Sequence, residues 1–191
     1  MNSFRCIVVG TSAGGLAALT EILSPLPKNF PVPILVVQHL SPVDTESYFV
    51  TYLNESCKLK VIEATDNEII EKGIVYIAPA NYHLLIEENG VLSLSVDRKV
   101  NFSRPSIDVL FESAADVYKS RLIGIILTGA NSDGARGIKY IKELGGLTIV
   151  QDPVTAETDT MPKAAIKNSP IDYILPLDQI VSLLVKICFL K

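Results

Sequence analysis

The chain has 191 residues, of which 48% are hydrophobic and 20% are charged, and its formal net charge is −4. One domain is expected to span residues 1–191, because domains average roughly 150 residues and a chain of this size can bury a core of its own. The apolar content and the low net charge exclude intrinsic disorder. Since 17 Lys and Arg stand against 21 Asp and Glu, we expect no nucleic-acid partner, because phosphate binding relies on excess positive charge.

The cysteines and the N-terminus bear on the compartment. Cys6, Cys57 and Cys188 are far apart and show no CxxC spacing, so they predict neither a disulfide framework nor a zinc site but reduced thiols. The apolar run before Gly10 is too short for a signal peptide, and no stretch approaches the roughly 20 apolar residues that cross a bilayer. We therefore expect a soluble, cytoplasmic protein without membrane insertion.

Short apolar runs alternate along the chain with segments of helical period. The runs that predict strands are 6–9, 34–37, 74–77, 122–127, 147–150 and 173–175. The segments that predict helices are 16–23, 45–54 (with Asp44 as N-cap), 105–118, 134–144 and 177–187, and Gly145-Gly146 should end the fourth. Because the strand residues are apolar at successive positions, they are typical of a parallel sheet buried on both faces.

One segment departs from this alternation. The apolar runs 83–86 and 91–94 flank Glu87-Glu88-Asn89-Gly90, and an Asn-Gly pair between apolar runs favours a hairpin. The predicted fold is one α/β domain, in which an antiparallel hairpin is attached to a mostly parallel sheet covered by helices.

Reactive side chains follow three of the predicted strands. Ser12 follows the first strand, His39 the second and Asp133 a later one. Ligands of such sheets bind at the carboxyl ends of the strands, so these three residues should converge on one edge. A serine, a histidine and an aspartate are the groups that acyl transfer requires.

Each of these residues also has a structural interpretation. Ser12 lies in a G-x-S-x-G nucleophile pattern, but it fits a plain turn, or a glycine-rich turn that binds nucleotide phosphates. A dinucleotide site needs an acidic residue after the second strand, where this chain has Gln38-His39, which favours a base. His39 fits a hydrogen-bonded structural residue, and Asp133 fits the cap of the following helix. For His83 we favour a structural or rim role.

Several motifs occur in an order that resembles the chemotaxis-type protein-glutamate methylesterases, the CheB catalytic domain. The segments that carry the resemblance are 10–15, 37–40, 77–83, 104–111, 127–135, 151–157 and 161–166. The resemblance implies a three-layer α/β/α catalytic domain, with Ser12 as nucleophile and His39 and Asp133 as its partners. It also implies hydrolysis of glutamate methyl esters on the signalling helices of methyl-accepting chemoreceptors, deamidation of receptor glutamines in some members, and no cofactor.

This chain departs from the family pattern at the site. Ala13 stands where some relatives have threonine, although its N–H can still serve as an oxyanion donor. Gly129-Ala130-Asn131-Ser132-Asp133-Gly134 replaces the usual Gly-Met-Gly-x-Asp-Gly, so Ala130 lines the site in place of a methionine. Asn131 replaces a glycine, and because Asn tolerates left-handed backbone, the turn is expected to persist.

Regulation and two rival functions remain open. Related enzymes commonly carry an N-terminal phospho-receiver domain, whereas this chain begins just before its first strand, so we expect either an ungated enzyme or control by a separate receiver protein. A nucleotide- or phosphate-binding module would bind nucleotides without needing His39. A catalytically weak adaptor would bind receptors without turnover.

Overall fold

Seven parallel strands form the central sheet of the computed structural model, which describes residues 4–39 and 46–189. The strands are β1 (Cys6–Thr11), β2 (Ile34–Gln38), β3 (Lys60–Glu63), β4 (Ile74–Ile77), β7 (Leu122–Ile126), β8 (Leu147–Gln151) and β9 (Tyr173–Leu175). Their order is β3-β4-β2-β1-β7-β8-β9, and every neighbouring pair is parallel. β1 therefore lies at the centre, between the strands that precede His39 and the Asp133 segment.

Helices cover both faces of this sheet. They are α1 (Gly15–Leu23), α2 (Glu46–Ser56), α3 (Ile107–Tyr118), α4 (Ala135–Glu143), α5 (Thr160–Asn168) and α6 (Leu177–Phe189). α1, α2 and α6 pack on one face, and α3, α4 and α5 pack on the other. Successive strand residues serve opposite cores, as Val8 and Val9 of β1 do, which is why the runs carry no polar alternation. The three-layer α/β/α fold is confirmed.

The predicted hairpin forms a separate sheet beside α3. β5 (His83–Ile86) pairs antiparallel with β6 (Leu92–Ser95), and Gly90 adopts a φ of 76° in the connecting turn. Leu84, Ile86 and Leu92 are buried in the same core as α3. The hairpin is also tied by its backbone to the segment between β3 and β4, since Asn67 N–H donates to the Leu92 carbonyl at 2.9 Å and Leu92 N–H donates to the Glu68 carbonyl at 2.8 Å. The expected antiparallel hairpin attached to a mostly parallel sheet is confirmed.

Two elements escaped prediction from the sequence. β3 is a four-residue edge strand with a charged residue at each end, so it lacks the apolar run that marks the other strands. α5 carries Pro162 in its first turn. A helix tolerates proline there, but in the sequence alone a proline indicates the end of a helix. The helix predicted at 45–54 is α2, while its proposed cap Asp44 lies outside the described residues. None of the described helices is long and apolar enough to cross a membrane.

Candidate active site

Ser12 lies in the Ser12 turn, residues 11–15, which joins β1 to α1. Gly14 has a left-handed φ of 78°, which the sharp turn requires. The Ser12 N–H donates to the Thr128 carbonyl at 3.0 Å, and Gly15 N–H donates to the Ser12 carbonyl at 2.9 Å. Among the described residues, neither the Ser12 hydroxyl nor the Ala13 N–H has a hydrogen-bond partner. The turn is thus held by its backbone, and its reactive groups are left available.

Gln38 ties the Ser12 turn to the next strand. Its Nε2 donates to the carbonyls of Ser12 and His39, each at 2.8 Å. The side chain is buried, and its Oε1 has no partner within the described part of the chain. His39 N–H donates in turn to the Thr11 carbonyl at 3.1 Å. Although Gln38 stands in a motif of the resembled family, nothing in its position along the chain indicated that it bridges two candidate residues.

His39 and Asp133 are in direct contact. His39 Nε2 lies 2.9 Å from Asp133 Oδ2, the Asp133 side chain is fully buried, and the His39 side chain is 12% exposed. The other ring nitrogen, Nδ1, lies 3.0 Å from Nδ2 of Asn131. Because a carboxylate can only accept, Nε2 carries the hydrogen of a neutral ring and Nδ1 carries the lone pair.

Asp133 sits at the N-terminus of α3. It accepts hydrogen bonds from Ile107 N–H at 2.7 Å, Ser106 Oγ at 2.9 Å and Asn101 Nδ2 at 2.9 Å. Burial alone would raise the pKa of Asp133, but the hydrogen bonds from His39, Asn101 and Ile107 outweigh it and hold that pKa below its ordinary value. The carboxylate is therefore ionised and supported by the positive end of a helix. It caps α3 across the molecule, whereas the first turn of α4, which follows it in sequence, is capped by a different carboxylate, that of Asp108.

A second carboxylate, Asp108, shares this network. It accepts from Gly137 N–H at 2.7 Å and from Asn101 Nδ2 at 2.8 Å, so the Asn101 amide bridges the two carboxylates. Burial raises the pKa of Asp108, and the nearby charge of Asp133 adds to the rise against the opposing Gly137 hydrogen bond. Neither Asn101 nor Asp108 was predicted to lie beside the site, although Asp108 stands in the 104–111 motif, because they become neighbours only when the 99–106 segment meets the start of α3.

The Asp133 loop, residues 127–134, lies beside the Ser12 turn. Thr128 Oγ1 donates to the Ala13 carbonyl at 2.8 Å. Ala130 is exposed at this edge, and its N–H is not donated to any described residue. Asn131 is not among the described residues with positive φ, so the left-handed backbone anticipated there is not needed. Its Oδ1 instead accepts the N–H of Asp133 at 2.9 Å.

A methionine lies near the serine although Ala130 replaces the family's methionine. Met161 of α5 is buried, and an ideal Cβ built on Gly129 would lie 2.6 Å from Met161 Cε and 3.0 Å from Ser12 Cβ. Met161 and Ser12 therefore approach Gly129 together. The space beside the Ser12 turn is filled from α5 rather than from the Asp133 loop.

His83 is a structural residue, in keeping with its expected role. It is 2% exposed, its Nδ1 accepts the Ser106 N–H at 3.2 Å, and its Nε2 lies 3.1 Å from the Arg98 carbonyl. The ring fastens the hairpin to the segment before α3. Within residues 4–39 and 46–189, no three His, Cys, Asp or Glu side chains are grouped so that they could hold a metal ion.

The fold and these side chains define an α/β protein whose polar site lies at the carboxyl edge of a parallel sheet. The family model described as "CheB methylesterase" matches residues 7–184. The chain belongs to the CheB methylesterase family, which confirms the resemblance found in its motifs.

Individual relatives agree with this assignment. A Leptospira interrogans protein (serovar copenhageni, strain Fiocruz L1-130) is 51% identical over 185 residues, which cover 97% of this chain and 95% of that protein, and its name contains "protein-glutamate methylesterase/protein-glutamine glutaminase". A Clostridium acetobutylicum protein whose name is those same words is 37% identical, over 97% of this chain but 54% of its own length. The crystal structure of the Thermotoga maritima CheB methylesterase catalytic domain superposes with a TM-score of 0.91 at 40% identity, covering 97% of this chain and 99% of that one.

Proposed function

We propose that this protein hydrolyses glutamate methyl esters on the signalling helices of chemoreceptors, with Ser12 as nucleophile, His39 as general base and Asp133 as the group that orients His39. The observation that carries the proposal is the 2.9 Å contact between His39 and a buried, ionised Asp133, at the sheet edge where the Ser12 hydroxyl has no partner among residues 4–39 and 46–189. The names of the relatives in this family support the choice of substrate.

The contact also selects the nitrogen that acts as base. Since Nε2 faces Asp133, the proton of Ser12 goes to Nδ1 of His39 as Oγ attacks the ester carbonyl. Asp133 then stabilises the imidazolium without taking its proton. The imidazolium returns the proton to the departing methoxide, so methanol leaves and a glutamyl ester of Ser12 remains.

Two free N–H groups suit the negative oxygen of the tetrahedral intermediate. The Ala13 N–H follows the nucleophile at the start of α1, and the Ala130 N–H lies in the neighbouring Asp133 loop; neither is donated to a described residue. An N–H donor needs no side chain, so the Ala13 and Ala130 replacements leave this function intact. The loss of one such donor costs about 3 kcal/mol of transition-state stabilisation in comparable enzymes.

Water completes the cycle. His39 takes a proton from water as the water oxygen attacks the glutamyl ester, the bond to Ser12 Oγ breaks, and the imidazolium returns the proton to that oxygen. The free glutamic acid then loses its proton to solvent, and the enzyme is restored. A receptor glutamine would follow the same course with ammonia as the leaving group. Deamidation is thus a second candidate activity, and the word glutaminase in the relatives' names favours it.

We place this reaction in the cytoplasm, where protein thiols are kept reduced. Cys6, Cys57 and Cys188 are all free thiols. Burial raises the pKa of the Cys188 thiol to about 12 and raises that of Cys57, so both stay protonated near neutral pH, as suits a reduced structural cysteine.

The experiment is methanol release from methylated receptor signalling fragments, with ammonia release measured in parallel from fragments that carry glutamine. We expect release by the wild type and a loss of at least about a thousandfold in Ser12→Ala and in His39→Ala. Ser182→Ala, an exposed serine on α6, is the matched control and should keep full activity.

Each alternative has its own outcome. Release that persists in Ser12→Ala would contradict the assigned nucleophile. Receptor binding without release by the folded wild type would favour the adaptor. Nucleotide binding that survives His39→Ala would favour a phosphate-binding module.

A further inference from the structure

Asn131 occupies the lone pair that the proposed base needs. Its Oδ1 accepts the N–H of Asp133 at 2.9 Å, and this contact fixes which end of the amide is oxygen. The Nδ2 end therefore faces His39 Nδ1, 3.0 Å away. Since the hydrogen of the neutral ring is on Nε2, beside Asp133, the Asn131 amide is the donor and Nδ1 is the acceptor.

This contact competes with the first step of the reaction. Nδ1 has one lone pair, in the plane of the ring, and the Ser12 hydroxyl must donate to that same lone pair in order to lose its proton. In the structure the Ser12 hydroxyl has no hydrogen-bond partner among the described residues, while Asn131 already holds Nδ1.

We propose that Asn131 restrains the enzyme by capping the base: its amide holds His39 in a resting state, and Ser12 reacts only after the amide leaves Nδ1. This inference rests on the proposed roles of Ser12 and His39 and adds a built-in restraint on the same site. Asn131 is a positioning residue, because it acts on the substrate only through the imidazole.

The size of the effect follows from the strength of one hydrogen bond. A neutral hydrogen bond has a modest net strength in water, so its removal should speed the acylation of Ser12 by about three- to tenfold. The same competition arises when His39 takes a proton from water in the second half of the reaction, so the acylation effect must be measured in a reaction that stops once Ser12 is modified.

The test compares Asn131→Ser with Asn89→Ser. Serine at 131 can still accept the Asp133 N–H in a turn but is too short to cap Nδ1. Asn89 is the matched control, because its Oδ1 also accepts a backbone N–H two residues on, that of Val91 at 3.2 Å, in the hairpin turn. Asn131→Gly is the second variant. It restores the glycine of the family pattern and introduces no side chain that the loop would have to accommodate.

Two measurements distinguish a restraint of His39 by Asn131 from a purely structural role of Asn131. The first is ¹⁵N NMR of the imidazole rings, which is tractable because the chain has only two histidines. The second is the rate at which an alkyl fluorophosphonate modifies Ser12, located by mass spectrometry. In that reaction the Oγ–P bond forms, the P–F bond breaks, fluoride leaves and the Ser12 proton goes to His39 Nδ1.

We expect the Nδ1 resonance of His39 to move towards that of an uncapped lone pair in both Asn131 variants, together with about three- to tenfold faster modification of Ser12. Asn89→Ser should change neither. An unmoved resonance, or modification that is unchanged or slower, would overturn the restraint while leaving the proposed function standing. A wild type whose Ser12 is not modified at all would overturn the proposed function and this inference with it.

Discussion

The Ser12 turn and the Asp133 loop are built alike and used differently. Each leads from a central strand into a helix, and each helix begins after a left-handed glycine, Gly14 with a φ of 78° and Gly134 with a φ of 91°. In neither helix does the N-cap residue, a glycine, supply a side-chain hydrogen bond. The contrast lies in the reactive side chains: the Ser12 hydroxyl has no partner among the described residues, whereas the Asp133 carboxylate accepts from side chains and backbone of three separate segments.

This difference matches the proposed roles of Ser12 as nucleophile and Asp133 as the group that orients His39. A nucleophile must lose its proton to a base and move towards a carbonyl, so any fixed partner would have to be removed first. An orienting carboxylate must stay ionised and stationary through the whole cycle, so each donor that it accepts adds to its preorganisation. The same backbone turn therefore serves one free group and one fixed group.

The largest effect should come from removing the charge of the fixed group. We expect Asp133→Asn to lower ester hydrolysis by about 10³- to 10⁴-fold, because the amide no longer selects the ring tautomer that leaves Nδ1 as acceptor. Steady-state methanol release measures this loss. The control is Asp172→Asn, since Asp172 also accepts several hydrogen bonds, including that of Thr148 N–H at 3.0 Å, but lies away from the site. Equal losses of activity in both variants would mean that Asp133 acts only through folding.

The sequence predicted the parts of this site that depend on strand order. Ser12, His39 and Asp133 each follow a buried apolar run, and parallel strands bring their carboxyl ends to one edge, so convergence could be inferred without coordinates. The same apolar runs predicted the α/β class, and the Asn89-Gly90 pair predicted the hairpin. Family motifs then indicated the proposed substrate, which no periodicity can indicate.

The supporting residues could not be predicted because they come from outside the strand ends. Asn101 lies in an irregular segment, and Ser106 donates to Asp133 rather than capping its own helix. Asn131 was noted for its backbone, whereas its importance lies in its side chain. Side-chain hydrogen bonds of this kind depend on how loops meet in space, and no local pattern records that.

A second, smaller effect distinguishes the two glycines. In Gly134→Ala the new Cβ would lie 2.6 Å from both Ile107 Cγ2 and Ile126 Cδ1, in the core, in addition to its left-handed strain. In Gly14→Ala it would lie 2.8 Å from Glu157 Oε2 and 2.9 Å from Glu157 Cβ, but Glu157 is exposed on a loop outside the core. We expect a loss of about 3 kcal/mol in the free energy of unfolding for Gly134→Ala and about 1 kcal/mol for Gly14→Ala. Urea denaturation measures both, and the reverse order would contradict the packing described for the Asp133 loop.

The smallest effect is a pH dependence of stability that involves Asp133 and spares the Ser12 turn. The pKa of Asp133 lies below its ordinary value of 3.8 in the folded protein. The stability that its ionised form contributes is therefore fully present above pH 3.8 and is lost as the pH falls through the lower folded pKa. Asp108, whose pKa is raised from the same 3.8, acts with the opposite sign: stability is lost as the pH rises from 3.8 through its folded pKa.

The two carboxylates can be separated because their windows lie on opposite sides of pH 3.8. Below that pH, the difference in free energy of unfolding between the wild type and Asp133→Asn should shrink as the pH falls. The difference between the wild type and Ser12→Ala should stay constant over the same range, because the Ser12 turn contains no group that titrates there. Urea denaturation at successive pH values measures both differences. A constant difference for Asp133→Asn would mean that its hydrogen bonds do not outweigh its burial, and the contrast between a free group and a fixed, ionised one would fail.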